Sequence, residues 1–167
     1  MDTFFEKIVA KRKDFKDILF NIGIVLAALL LVLIILNIPI VNQFGLIITT
    51  GIVYLAYRLI KARNIEFEYL VTNGDLDIDM IIDQRKRKRI FSANCKEFDI
   101  VAKVSSNHFN SSVQNIPKKI LAASDINSPD AYFFTLNYKG ERTLVVFEPD
   151  ERMLNNFKLF IPRKVFE

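Results

Sequence analysis

Polar side chains almost vanish from the first third of the chain. Between Ile18 and Leu36 the only one is Asn21, and Phe44 to Tyr57 carries no charge. At about 1.5 Å per residue the first run reaches roughly 28 Å as a helix, and the second, extended to Ile60, roughly 25 Å. Both lengths suit the apolar layer of a bilayer, so the pattern predicts a transmembrane hairpin, 18–36 and 44–60, joined by the uncharged loop "NIPIVNQ". Gly23 with Ala27, and Gly45 with Thr49, put small residues four apart, a spacing that lets two helices approach closely within such a hairpin. The first run is too long for a cleaved leader, and no small-residue cleavage site follows it.

Past Asn64 the period switches from helical to alternating. Asn73-Gly74 signals a two-residue turn with positive φ at both positions. That turn sets Thr72 against Asp75, Leu70 against Asp77 and Glu68 against Asp79. Ile65, Phe67, Tyr69 and Val71 then share a face with Leu76, Ile78, Met80 and Ile82, and the other face carries Glu66, Glu68, Asp75, Asp77 and Asp79. Further strands are expected at Arg87–Ala93, Glu97–Val104, Lys118–Ala123, Ala131–Tyr138 and Arg142–Phe147, with a glycine turn in "NYKGER". Pro149 opens a closing amphipathic helix over "DERMLNNFKLFI". The expected class is a membrane protein with an α+β, mostly antiparallel cytosolic domain, 64–167, of about seven strands and a C-terminal helix.

The first seventeen residues read as an amphipathic juxtamembrane arm. Thr3 and Glu6 have the spacing of a helix capping box, and Phe4, Phe5, Ile8, Val9 and Phe15 fall mostly on one side. Such a helix either lies among headgroups or packs on the soluble domain.

Charge then orients the chain. Lys7, Lys11, Arg12, Lys13 and Lys16 precede the first helix, and Arg58, Lys61 and Arg63 follow the second. The positive-inside rule places both termini in the cytoplasm, as a multi-pass protein of the cytoplasmic membrane. Tyr54, Tyr57, Arg58, Lys61 and Arg63 are the expected interface anchors. The formal net charge of +4 is not spread evenly. Residues 1–17 hold five basic and four acidic groups, 58–63 three basic and none acidic, and 64–167 fifteen of each. A neutral domain whose surplus sits at the membrane boundary is a poor nucleic-acid binder.

Candidate chemistry is sparse. One cysteine, Cys95, and one histidine, His108, offer neither a disulfide nor a ligand cluster. Asp75-Leu76-Asp77-Ile78-Asp79 resembles a calcium loop only superficially, since its sixth and twelfth positions are Met80 and Lys86 rather than glycine and glutamate. No nucleophile stands with a base, and no glycine loop is placed to hold phosphate, so neither an enzyme nor a cofactor is expected. The strongest local feature is the basic run Arg85, Lys86, Arg87, Lys88 and Arg89. It either contacts anionic lipid or a partner, or neutralises the acidic face of the preceding hairpin. Strand alternation allows both, with Arg87 and Arg89 directed one way and Lys86 and Lys88 the other.

The two apolar helices together with "NIEFEYLVTNGDLDID" and "RKRKRIFSANCKEFDIV" resemble an uncharacterised family of small two-span membrane proteins from Gram-positive anaerobes. More distantly, they are similar to bacterial membrane-tethered PH-like domains. The resemblance implies a pleckstrin-homology-like fold and no activity. Phosphoinositide-binding PH domains carry basic residues around the first hairpin turn, whereas this turn is flanked by carboxylates. The function expected is a non-catalytic adaptor or scaffold at the cytoplasmic face, binding a protein or peptide with anionic lipid as a second contact. The alternative is an accessory subunit of an integral-membrane complex, acting through the helices.

Overall fold

The computed structural model describes residues 4–166, apart from the side chains of Ile40 and Asn42. It divides into two compact units, one formed by 13–64 and the other by 4–12 together with 65–166.

The first unit is helical. Helix α1 (Phe15–Leu36) leads through a short α2 (Pro39–Asn42) to α3 (Gly45–Lys61). Asp17, Asn21, Ile24, Ala28, Val32 and Ile35 form the covered stripe of α1, and Gly45, Thr49, Ile52, Ala56 and Ile60 that of α3. These three- and four-residue steps are the seam of two packed helices. Nearly every other apolar side chain of both helices is exposed. Of the two small-residue pairs, only Gly45 and Thr49 serve the seam. Gly23 and Ala27 lie on the exposed side, and a Cβ built on Gly23 meets nothing within 4 Å. Near the chain ends of this unit, Arg63 Nε donates to Asp17 Oδ1 at 3.0 Å and its guanidinium sits 4.5 Å from the Phe20 ring centre. Among the described residues one helix, α1, is long and apolar enough by itself to cross a bilayer.

The second unit is a β-sandwich. Its first sheet has the order β1 (Phe4–Ala10), β2 (Ile65–Thr72), β3 (Asp75–Ile82), β4 (Lys86–Asn94). The second runs β5 (Ile100–Lys103), β7 (Tyr132–Tyr138), β8 (Glu141–Phe147), β6 (Lys118–Leu121), with a short α4 (Ser111–Gln114) between β5 and β6 in the chain. The Asn73-Gly74 turn gives the register read from it, with Thr72 opposite Asp75, Leu70 opposite Asp77 and Glu68 opposite Asp79. Phe67, Tyr69, Val71, Leu76 and Ile78 are buried. They meet an aromatic centre in which Phe98 stacks on Phe134 at 4.1 Å and Phe91 and Phe147 pack edge-on to Phe134. Helix α5 (Glu151–Phe160) closes the sandwich through Met153, Leu154 and Phe157. It starts one residue later than Pro149 suggests, because the Asp150 side chain caps it by accepting from Met153 N at 2.8 Å.

Three expectations need correction. The arm is not a helix: 4–10 form an edge strand antiparallel to β2, with Phe5, Lys7 and Val9 turned inward and Phe4, Glu6 and Ile8 outward. The same apolar positions fit both periods over so short a stretch, and the open ladder of β2 decides for the strand. Thr3 of the expected capping box lies outside the described residues. Among the described residues the strands therefore number eight, and β6 runs parallel to β8, because the long 104–117 connection carries the chain past the sheet before it enters. Lys11 N donates to Ile65 O at 2.9 Å, so the strands on either side of the helical unit are hydrogen-bonded neighbours.

Candidate functional site

The basic run occupies the turn into β4 and its first half. In an uninterrupted strand Phe91 and Arg89 would point the same way. They do not, because the ladder between β3 and β4 shifts at Ile78/Asp79: Phe91 faces Ile78 while Arg89 faces Asp79, leaving Ile90 as the extra residue. This bulge lets Phe91 enter the core and turns Arg87 and Arg89 onto the outer, acidic face. Lys86 and Lys88 stand opposite Ile82 and Met80 on the other side of the strand.

The arginines are consumed by pairing. Arg87 Nη2 meets Glu68 Oε1 at 2.8 Å, and Arg89 Nη1 meets Asp77 Oδ2 at 2.7 Å. Arg89 also grips Asp79, through Nε and, at 3.4 Å, through Nη2 to Oδ2. These bonds hold the Arg89 guanidinium above its ordinary pKa, the hydrogen bond it donates to Asp79 contributing most. Arg85 approaches Asp83 at 3.8 Å in the turn. Lys86 and Lys88 are exposed and have no ion pair or hydrogen bond among the described residues. The basic run thus splits, with its arginines structural and its lysines free.

The acidic face is less solvated than its composition suggests, with Glu68 only 2% exposed and Asp79 3%. A layer of neighbouring side chains covers them, and Glu68 Oε2 finds no hydrogen-bond partner. Burial pushes the Glu68 carboxyl above its ordinary 4.5; Arg87 opposes this, while Glu6 and Asp79 add to it. The folded state therefore holds this proton more tightly than the unfolded chain. The resulting stability is full below about pH 4.5 and is lost as pH rises through the elevated value. Glu68→Gln should flatten urea stability against pH in that window. A slope unchanged by the substitution would show that Glu68 does not titrate there.

The remaining sequence candidates disperse. Tyr54, Tyr57 and Arg58 are exposed on α3, and Lys61 Nζ lies 5.7 Å from the Tyr57 ring centre. Arg63 is tied up with Asp17 instead of standing free. At the first hairpin turn Asn94 Nδ2 donates to Asp75 Oδ1 at 2.7 Å. His108 stacks on Phe166 at 4.4 Å. Cys95 is buried, which pushes its thiol up to about 11. Among the described residues no three His, Cys, Asp or Glu side chains gather as a metal site.

A β-sandwich plugged by a C-terminal helix is consistent with a PH-like fold. The family model for the Bacterial PH-like domain (DUF6106) matches residues 1–167, the whole chain. The chain belongs to this family. No curated protein and no solved structure matches it. In this PH-like chain the sequence reading missed the burial of Glu68 and Asp79 and the bulge at Ile90. A signal for the bulge was present, since Phe91 is apolar and Arg89 charged at positions that strict alternation would put on one face.

A second surface that sequence reasoning missed lies on the outer side of the other sheet. A hollow of about 510 Å³ is lined by Val104, Phe109 and Gln114, by Lys119 and Leu121 of β6, and by Ile126, Asn127 and Leu144.

Proposed function

We propose that this protein is a non-catalytic PH-like adaptor held at the cytoplasmic face of the membrane by a two-helix hairpin, with Lys86 and Lys88 meeting anionic headgroups. The observation that carries this reading is the β1–β2 ladder. Ala10 is opposite Glu66, so the chain leaves the sheet into α1 and returns from α3 at the neighbouring strand. If α1 crosses the bilayer, the chain has to cross back before β2, and α3 is the segment available. Its roughly 25 Å suffices when Arg58 and Lys61 reach toward the interface. The basic flanks set the orientation. Each exposed lysine near an anionic leaflet contributes about 1 kcal/mol, screened within a Debye length.

Two measurements test this. In a Cys95→Ser background, Gln43→Cys should react with an impermeant maleimide on intact cells, and Arg85→Cys only after lysis. Labelling of both or neither before lysis overturns the topology. With the full chain in nanodiscs, tryptic cleavage after Lys86 and Lys88 should slow in anionic relative to zwitterionic lipid and recover at high salt. Equal rates in the two lipids remove the headgroup contact.

The alternative, an accessory subunit, draws support from an apolar groove of about 450 Å³ within the helical unit, lined by Val25, Ala28, Val32, Val53, Ala56 and Tyr57 among others. Replacing Val25 and Val53, which line the groove from outside the seam, with phenylalanine should then abolish co-purification of a membrane partner in mild detergent, while the impermeant-label pattern stays unchanged.

A further inference from the structure

Strand β6 is four residues long and ends its sheet. Its pairing phase is fixed by Ala122 N, which donates to Val146 O at 2.8 Å. In a parallel ladder alternate residues turn both backbone groups toward the partner, so Lys118, Ile120 and Ala122 face β8. The N–H and C=O of Lys119 and Leu121 point to the free edge, and among the described residues no backbone bond satisfies them there. The same two residues send their side chains into the hollow on the sheet's outer face. Leu121 is 55% exposed and Ile126, across the hollow, 39%. An unpaired edge and an apolar hollow thus coincide at one strand.

The charge beside them has one dominant sign. Lys119 stands opposite Leu144 in the ladder, so Arg142, two residues back on β8, is its diagonal neighbour on the same face. Neither has an ion pair or hydrogen bond among the described residues. Lys118 is already paired, to Glu141 at 2.9 Å. On the rim loop, Asp125 accepts from Asn127 N at 2.9 Å. Arg87 and Arg89 of the other sheet differ in this respect, because their carboxylate partners are built in.

We propose that β6 is a docking edge for an extended acidic peptide. The peptide adds as a fifth strand beside Lys119 and Leu121, places an apolar side chain against Leu121 and Ile126, and sets a carboxylate near Lys119 and Arg142. Main-chain bonds supply affinity in such strand addition, and the pocket for alternate side chains supplies selection. The inference rests on the adaptor reading and gives it a partner chemistry. It differs in place from the lipid-facing lysines, which lie on the other sheet.

The test uses the full chain in mild detergent and a fluorescein-labelled heptapeptide alternating glutamate with valine or leucine, read by anisotropy. Saturable binding is expected, with a lysine-for-glutamate version of the peptide failing to bind. Lys119→Glu, an exposed change, should weaken it roughly tenfold. Leu121→Pro removes an outward N–H that serves no bond in the protein and should abolish it. Absence of saturable binding, equal binding of the basic peptide, or binding indifferent to Lys119→Glu each overturns the proposal. If Leu121→Pro fails to fold, Lys119→Glu still decides the matter. Should the peptide fail while anionic lipid still protects Lys86 and Lys88, the docking edge is wrong and the membrane adaptor stands. Should both fail, the adaptor reading goes with it.

Discussion

Gly74→Val is expected to leave the β-sandwich largely unfolded at room temperature, and Gly74→Ala to lower its stability by about 2–4 kcal/mol. Two costs add at this position. Its φ of +88° is one that side chains rarely adopt, which alone amounts to about 1–2 kcal/mol. A Cβ there would also stand 2.9 Å from Phe160 Cδ2 and 3.1 Å from Cys95 Sγ. Phe160, at the end of α5, holds Lys96 over its ring at 5.7 Å and is only partly covered, while Cys95 is buried and cannot retreat. Gly140 separates the two costs. Its φ is +85°, yet nothing lies within 4 Å of its Cβ position, so Gly140→Ala should show the backbone cost alone. Urea denaturation followed by near-ultraviolet circular dichroism of the tyrosines measures both. Equal losses at the two glycines would mean that Phe160 is not packed on the turn.

The second large effect concerns β4. Arg89→Gln should destabilise the protein by about 2–3 kcal/mol, because it strands Asp79 beneath its cover and leaves Asp77 beside it. The figure stays below that of a fully buried pair because the guanidinium itself is half in solvent. Lys88→Gln, one residue away, should change stability by less than about 0.5 kcal/mol. Adding Asp79→Asn to Arg89→Gln should recover most of the loss, since the uncompensated charge is then gone. If Lys88→Gln costs as much as Arg89→Gln, the division between structural arginines and free lysines is wrong. If the double variant is no better than the single, the loss comes from packing of the arginine stem.

Most of the fold was legible because its signals are local. Asn73-Gly74 fixes a register in which Tyr69, Val71, Leu76 and Ile78 must be core, and all four are buried. The amphipathic spacing of Met153, Leu154 and Phe157 likewise foretold the closing helix. What escaped depends on partners far away in sequence. Residues 4–10 carry apolar side chains that satisfy either period, and only the open edge of β2, more than fifty positions later, selects a strand. The direction of β6 is set by the entry path of a long loop, which composition does not encode. The site was half legible. Alternation grouped Arg87 with Arg89 and Lys86 with Lys88, but which pair meets the carboxylates is decided by one extra residue at Ile90.

The pairing of β1 with β2 also has a consequence in time. Residues 4–10 are the first of the sandwich to leave the ribosome, yet their hydrogen-bonding partner, 65–72, follows only after the whole helical unit has been made. At about 5–20 residues per second that interval lasts roughly 3–12 s. During it the first strand has no ladder to join, with Phe5 and Val9 uncovered. The first sheet completes its order only once the chain has gone out through α1 and come back through α3. Assembly of the β-unit thereby waits on synthesis of the helical unit, and the first sheet cannot complete its order before α3 has been made.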